Sequence, residues 1–110
     1  MELSAKKEQK GVVIDIKGRM DAGSSPAFEK ETDVWIKQDE TILVVDCSNL
    51  EYISSSGLRS ILTVAKKLKG IQGKILLASL TSVVKEVFEI SGFSTIIPIY
   101  DSLEDAMADL

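Results

Sequence analysis

Four short runs of branched aliphatic residues, set apart by segments of helical period, constrain this chain more than any other feature of it. The runs are Val12-Val13-Ile14-Asp15-Ile16, Ile42-Leu43-Val44-Val45, Ile75-Leu76-Leu77-Ala78 and Thr95-Ile96-Ile97-Pro98-Ile99, bounded by Gly, Asp, Ser or Lys. Such runs read as strands. The middle two are almost without polar residues, which predicts strands covered on both faces, the habit of a parallel sheet flanked by helices. Pro98 lacks a backbone N–H and so places the last strand at an edge. Leu3 to Glu8 alternates weakly and is joined to Val12 by Gln9-Lys10-Gly11, which predicts an opening hairpin.

Between the strands the period changes. Ser25-Pro26 reads as an N-cap with proline at the first helical position, and Phe28, Thr32 and Trp35 follow on one face. Leu58, Ile61, Leu62, Ala65 and Leu68 recur at helical spacing, and Gly70 stands where a residue just beyond a helix belongs. Thr81 can cap a third helix that turns Val84, Val87 and Phe88 inward and ends near Ser91-Gly92. Ser102 with Asp105 resembles a capping box ahead of Leu103, Ala106, Met107 and Leu110. The predicted order is β β α β α β α β α, an α/β fold with a mixed, mainly parallel sheet of about five strands and about four helices.

The 110 residues suit one domain, spanning 1–110, with no linker or repeat. Apolar residues make up 45% and charged residues 27%, as in globular chains, and with only 5% aromatics the core must be aliphatic. The net charge of −4 gives no electrostatic footprint for nucleic acid or an anionic membrane. No apolar run approaches a membrane span, and the opening Met1 to Glu8 lacks the apolar stretch of a signal peptide. A cytoplasmic location with no membrane insertion is expected. Cys47 is the single cysteine and there is no histidine, so an internal disulfide and a Cys/His zinc site are excluded. Cys47 follows an apolar run and is expected in or near the core.

The segment with most to explain is Asp46-Cys47-Ser48-Asn49-Leu50-Glu51-Tyr52-Ile53-Ser54-Ser55-Ser56-Gly57-Leu58, which is expected to join the third strand to the second helix. One serine at a helix start is accounted for as an N-cap. Three in succession exceed what a cap requires. The orphan N–H groups and dipole of a helix start also favour negative charge, so a serine there suits a phosphate as well as a cap, and residue chemistry leaves both open. Arg59, one turn after Ser55, is either a solvated cation or a partner for phosphate or carboxylate. Asp21 is either a turn former or a binding residue. Catalysis by the serines lacks a histidine base and a G-x-S-x-G elbow, which leaves only a Ser-Lys pair open by composition. Gly70-Ile71-Gln72-Gly73-Lys74 has neither the spacing nor the Ser/Thr of a phosphate loop. No cofactor or metal is expected.

Asp46-Cys47-Ser48 followed by Tyr52-Ile53-Ser54-Ser55-Ser56-Gly57-Leu58 closely resembles the signature of STAS-domain anti-sigma factor antagonists, in which D-L-S precedes D-S-S-G-L. Gly18-Arg19-Met20-Asp21-Ala22 resembles that family's G-x-L-D-A segment. The resemblance covers essentially the whole chain and implies a single STAS-type domain. Position by position, it implies that Ser55 is the residue an anti-sigma serine kinase phosphorylates, and that Ser56 is the second serine of the pattern. Ser54 stands where the family has Asp, and Cys47 where an aliphatic residue is common. By the same resemblance Asp21 contributes to the partner surface, which Ser54, Ser55, Ser56, Gly57 and, from its place one turn on, Arg59 are expected to complete.

The leading expectation is therefore a non-enzymatic antagonist that binds an anti-sigma factor with serine kinase activity and so releases a sigma factor, with a serine phosphatase resetting it. An alternative keeps the fold and makes the chain a constitutive docking subunit of a lipid-transport or stressosome-like assembly. A small flavodoxin-like or phosphotransfer enzyme is the reading from another class, which the missing histidine and cofactor motifs disfavour.

Overall fold

The computed structural model describes all 110 residues. Strands β1 (Glu2–Lys7) and β2 (Val12–Met20) lead into helix α1 (Ser25–Ile36), followed by β3 (Ile42–Ile53), α2 (Ser55–Gly70), β4 (Lys74–Ala78) and α3 (Ser82–Ser91). A 3₁₀ turn, Phe93–Thr95, then precedes β5 (Ile99–Tyr100) and α4 (Leu103–Ala108). The strands lie in chain order in a single sheet. β1 pairs antiparallel with β2, as the short Gln9-Lys10-Gly11 connection requires, and every later pair is parallel.

The two faces of the sheet are covered unequally. One face carries a cluster of 19 buried residues in which Phe28 of α1, Ile61, Val64 and Leu68 of α2, and Val84 and Phe88 of α3 pack on Val12, Ile14, Leu43, Val45 and Leu77. Trp35 is partly buried against the same cluster. On the other face α4 alone places Ala106 over Val44, Leu76 and Ala78. β3 and β4 are thus sandwiched, which is why their sequences read as unbroken apolar runs. The thiol of Cys47 is fully buried in the larger cluster, and burial pushes it well above the ordinary thiol range, so it remains neutral and unreactive.

Four boundaries differ from the sequence expectation. β3 continues through Asp46 to Ile53, so what reads as a connection is strand. It does so because β2 also runs on, pairing Gly18 with Leu50, Arg19 with Tyr52 and Met20 with Ile53 across two register shifts. The N-cap of α1 is Ser24, not Ser25; its hydroxyl turns back to Arg19 O and Asp21 Oδ1 and caps no amide of the helix. Gly70 is the last residue of α2 and not the one beyond it. Thr95 to Pro98 forms no strand: Thr95 closes the 3₁₀ turn, and only Ile99 and Tyr100 join the sheet, at its edge. Proline withholds the N–H that a longer pairing would use.

Ser102 caps α4 as expected, accepting from Asp105 N at 3.0 Å. Gly92 ends α3 in a left-handed conformation (φ 81°) that glycine adopts without strain.

Candidate functional site

The expected site residues converge where the long strands β2 and β3 end together. Ile53 is buried and anchors the end of β3, after which Ser54 N donates to Met20 O at 2.9 Å. That bond ties the start of α2 to the residue before Asp21, so the two sequence motifs meet although some thirty positions separate them. Gly57 is required at the crossing. A Cβ there would lie 2.7 Å from Ile53 Cγ1 and 2.8 Å from Met20 O, closer than packed atoms tolerate.

Each serine of the turn has a different environment. Ser54 is the N-cap: its Oγ accepts from Gly57 N at 3.2 Å and its carbonyl from Leu58 N at 2.9 Å. The departure from Asp to Ser at this position therefore keeps the capping chemistry, since both side chains present an oxygen to the same orphan amide. Ser56 is half-buried and its Oγ accepts from Arg59 Nη2 at 3.3 Å. Ser55, the first residue of the helix, is exposed, and its hydroxyl makes no hydrogen bond to the rest of the chain. The first turn of α2 contains no acidic residue, so the positive end of its dipole is uncompensated beside Ser55.

Asp21 is committed to its own turn. Its Oδ1 accepts from Gly23 N at 3.0 Å, Ser24 N at 3.1 Å and Ser24 Oγ at 3.2 Å. The bonds from Ser24 hold the carboxyl below its usual range, with the Gly23 amide and Arg19 adding to the effect. Both readings of Asp21 are thus compatible: it forms the turn, and its second oxygen stays at the surface.

Between α1 and α2 a polar groove of about 360 Å³ runs from this turn, lined by Ala22, Ser25 and Glu29 on one side and Ser56, Arg59 and Ser60 on the other. Ser60 Oγ donates to Glu29 Oε2 at 2.6 Å and fixes one helix against the other. Arg59 lies exposed along its edge. A feature that sequence reading missed borders the site: the Arg19 guanidinium stacks 4.1 Å from the centroid of the Tyr52 ring. Both residues lie within quoted motifs, but only the strand register, which pairs Arg19 with Tyr52, brings them together.

No side chain hydrogen-bonds the exposed Ser55 hydroxyl as an activating base would. The arrangement offers instead a rigid, mixed surface with one free hydroxyl at a helix start. A family model described as the STAS domain matches residues 3–106. The chain belongs to the STAS domain family. Relatives of this STAS domain include the candidate anti-sigma factor antagonist BtrV of Bordetella bronchiseptica, 38% identical over 98% of this chain and 93% of that protein. Among solved structures, a candidate anti-sigma factor antagonist from Thermotoga maritima superposes with a TM-score of 0.92, at 21% identity, over 97% of this chain and 92% of that one. The Bacillus cell fate determinant SpoIIAA in its phosphorylated form gives 0.77 at 20% identity, covering 98% of each. These likenesses establish the fold of the STAS domain as the one expected from sequence. The names describe regulatory binding and not a reaction, in line with the non-enzymatic reading. No helix of the domain is long and apolar enough to cross a membrane.

Proposed function

We propose that this STAS domain is a cytoplasmic anti-sigma factor antagonist: it binds an anti-sigma factor with serine kinase activity, frees a sigma factor, and is switched off by phosphorylation of Ser55. The observation that carries this reading is the division of labour among the three serines. Ser54 is bound to the Gly57 amide and Ser56 to Arg59, whereas Ser55 is exposed with an unengaged hydroxyl. Ser54 and Ser56 are half-buried and engaged in the turn, so a kinase must draw them out of it to reach their oxygens. Ser55 already stands in solvent. The names of the relatives supply the partner class, and SpoIIAA is known in a phosphorylated form. Asp21, Ser54, Ser56, Gly57 and Arg59 then frame the partner surface, and a serine phosphatase resets the switch.

Phosphate adds about −1.5 to −2 charge at neutral pH. At the dipole end of α2 that charge is locally favourable by roughly 0.3–1 kcal/mol, so the fold tolerates it. In an interface without matching donors the same charge is unfavourable, and about 3 kcal/mol weakens binding roughly a hundredfold. Ser55→Ala is expected to bind the anti-sigma factor constitutively and Ser55→Asp about a hundredfold more weakly, with both unfolding at the wild-type temperature. Calorimetric titration with the anti-sigma factor and mass-spectrometric mapping after incubation with ATP test the proposal. Phosphate confined to Ser54 or Ser56, or equal affinity of the bare and phosphorylated forms, overturns it.

A further inference from the structure

The far end of α2 carries a second concavity that the antagonist reading does not use. It is a groove of about 490 Å³ between the C-terminal half of α2 and the chain leading into β5. Its floor is aliphatic, Ile75 from β4 and Ile97, both almost fully buried, and Leu62 and Ala65 from α2 face Ile96 and Pro98 across it. Ile96 leaves 59% of its surface in water at the rim, a cost to the chain unless something covers it. Lys66, Lys69 and Lys74, with Gly73, complete the lining, and none of these lysines is among those that form ion pairs, which are Lys6, Lys7, Lys67 and Lys85. In a chain of net charge −4, three unpaired ammonium groups are thus gathered at one apolar groove.

The arrangement has a direction. Leu62, Ala65, Lys66 and Lys69 follow at helical spacing on one face of α2, so the groove passes from aliphatic to basic toward the helix end. Lys74 begins β4 at that same end, where Gly73 N bonds to Leu68 O. The helix dipole accounts for a lysine in the last turn, but not for Lys74 on the strand or for the aliphatic walls. From Leu62 to Lys69 the helix rises roughly 10 Å, the reach of a medium hydrocarbon chain. No aromatic ring lines the groove, so it offers no stacking platform for a nucleobase.

We propose that this groove binds a free single-chain amphiphile with an anionic head group, its tail along Leu62, Ala65, Ile75 and Ile97 and its carboxylate or phosphate against Lys66, Lys69 and Lys74. Lysine stems lend apolar surface to such a groove while their ammonium groups stay wet at its mouth. A membrane surface is not the occupant, because the feature is concave and the chain as a whole is acidic.

The test is titration of the isotopically labelled full chain with decanoate, followed through the methyl resonances of Ile75, Ile96 and Ile97. Saturable shifts below the micelle threshold are expected, with decyltrimethylammonium at least tenfold weaker. The double variant Lys66→Gln/Lys69→Gln should unfold close to the wild-type temperature and bind decanoate at least tenfold more weakly, and Ala65→Trp should block the tail. Absence of saturable binding, equal affinity for the cationic amphiphile, or an unchanged affinity in the double variant overturns the proposal. So does lysine-dependent sedimentation with phosphatidylglycerol vesicles in the absence of decanoate binding, which assigns the lysines to a lipid surface instead.

Discussion

The two ends of α2 are built on opposite principles. At the N-terminal end the backbone of three segments crosses within contact distance, Gly57 fits only because it lacks a side chain, and nearly every small polar group has a partner in the turn. At the C-terminal end Gly70 has no atom within 4 Å of where a side chain would begin, Ile96 stands open to water, and Lys66, Lys69 and Lys74 form no ion pair. A surface read by a protein partner gains from being fixed before the encounter, since ordering it afterwards costs affinity. A groove for a flexible tail needs open apolar walls and a charge at its mouth, and tolerates looseness. The difference separates what is preorganised from what is available.

The glycines give the largest contrast. Gly57→Ala places a Cβ against Met20 O and Ile53, and because one of those contacts is backbone, β2 or α2 must shift. Overpacking of this kind costs about 3 kcal/mol and should abolish partner binding along with stability, as read by denaturant unfolding and by titration with the anti-sigma factor. A loss below 1 kcal/mol would show that the crossing is less rigid than the geometry indicates. Gly70→Ala is the matched control at the loose end. It should stabilise by about 0.5–1 kcal/mol, since alanine restricts the unfolded chain and favours helix, and it should leave binding alone.

The cap comes next. Ser54→Ala removes the oxygen that meets Gly57 N and should cost about 1 kcal/mol, whereas Ser54→Asp should retain that stability because a carboxylate caps the same amide. If Ser54→Ala proves neutral to unfolding, the turn is held by Gly57 and the Met20 bond alone. The same pair of variants separates structure from recognition. Any effect of Ser54→Asp on kinase action at Ser55, at unchanged stability, belongs to the partner surface.

How far the sequence reveals this contrast follows from where each signal resides. Cap chemistry is local, so the start of α2, the Ser102 cap of α4 and the helical face from Leu58 to Leu68 are legible from residue types alone. So are the apolar runs of β3 and β4, because burial on both faces leaves no alternation to misread. The second half of β3 is hidden, since Ser48, Asn49 and Glu51 interrupt the pattern and only pairing with an equally extended β2 makes it a strand. Arg19 over Tyr52 is hidden for the same reason: a register is a property of two segments at once. In β5 the branched residues of Thr95 to Ile99 suggest a strand, but an edge with one neighbour and a proline sustains only two residues of it. The lysine-rimmed groove escapes reading altogether, because Ile96 and Lys74 reach it from outside the helix.

Acid gives the smallest expected effect and discriminates between the ends by chemistry. The Asp21 carboxyl lies below its ordinary value of 3.8, held there first by the Ser24 amide and hydroxyl and further by the Gly23 amide. A depressed carboxyl contributes its stability above the unfolded value and loses it as pH falls below 3.8 through the folded value. No carboxyl lines the groove at the C-terminal end of α2, so that groove should be indifferent to it. NMR titration through the window should show the amides of Gly23 and Ser24 moving together with the Asp21 carboxyl, while Ile75 and Lys69 stay still. Asp21→Asn should abolish that local transition at little cost in stability, because an amide oxygen still accepts from the Gly23 and Ser24 amides and the Ser24 hydroxyl. If the turn amides keep their acid transition in Asp21→Asn, another carboxyl organises the N-terminal end. If the transition disappears while partner affinity also falls at neutral pH, the surface oxygen of Asp21 is a contact in its own right as well as a brace for the turn.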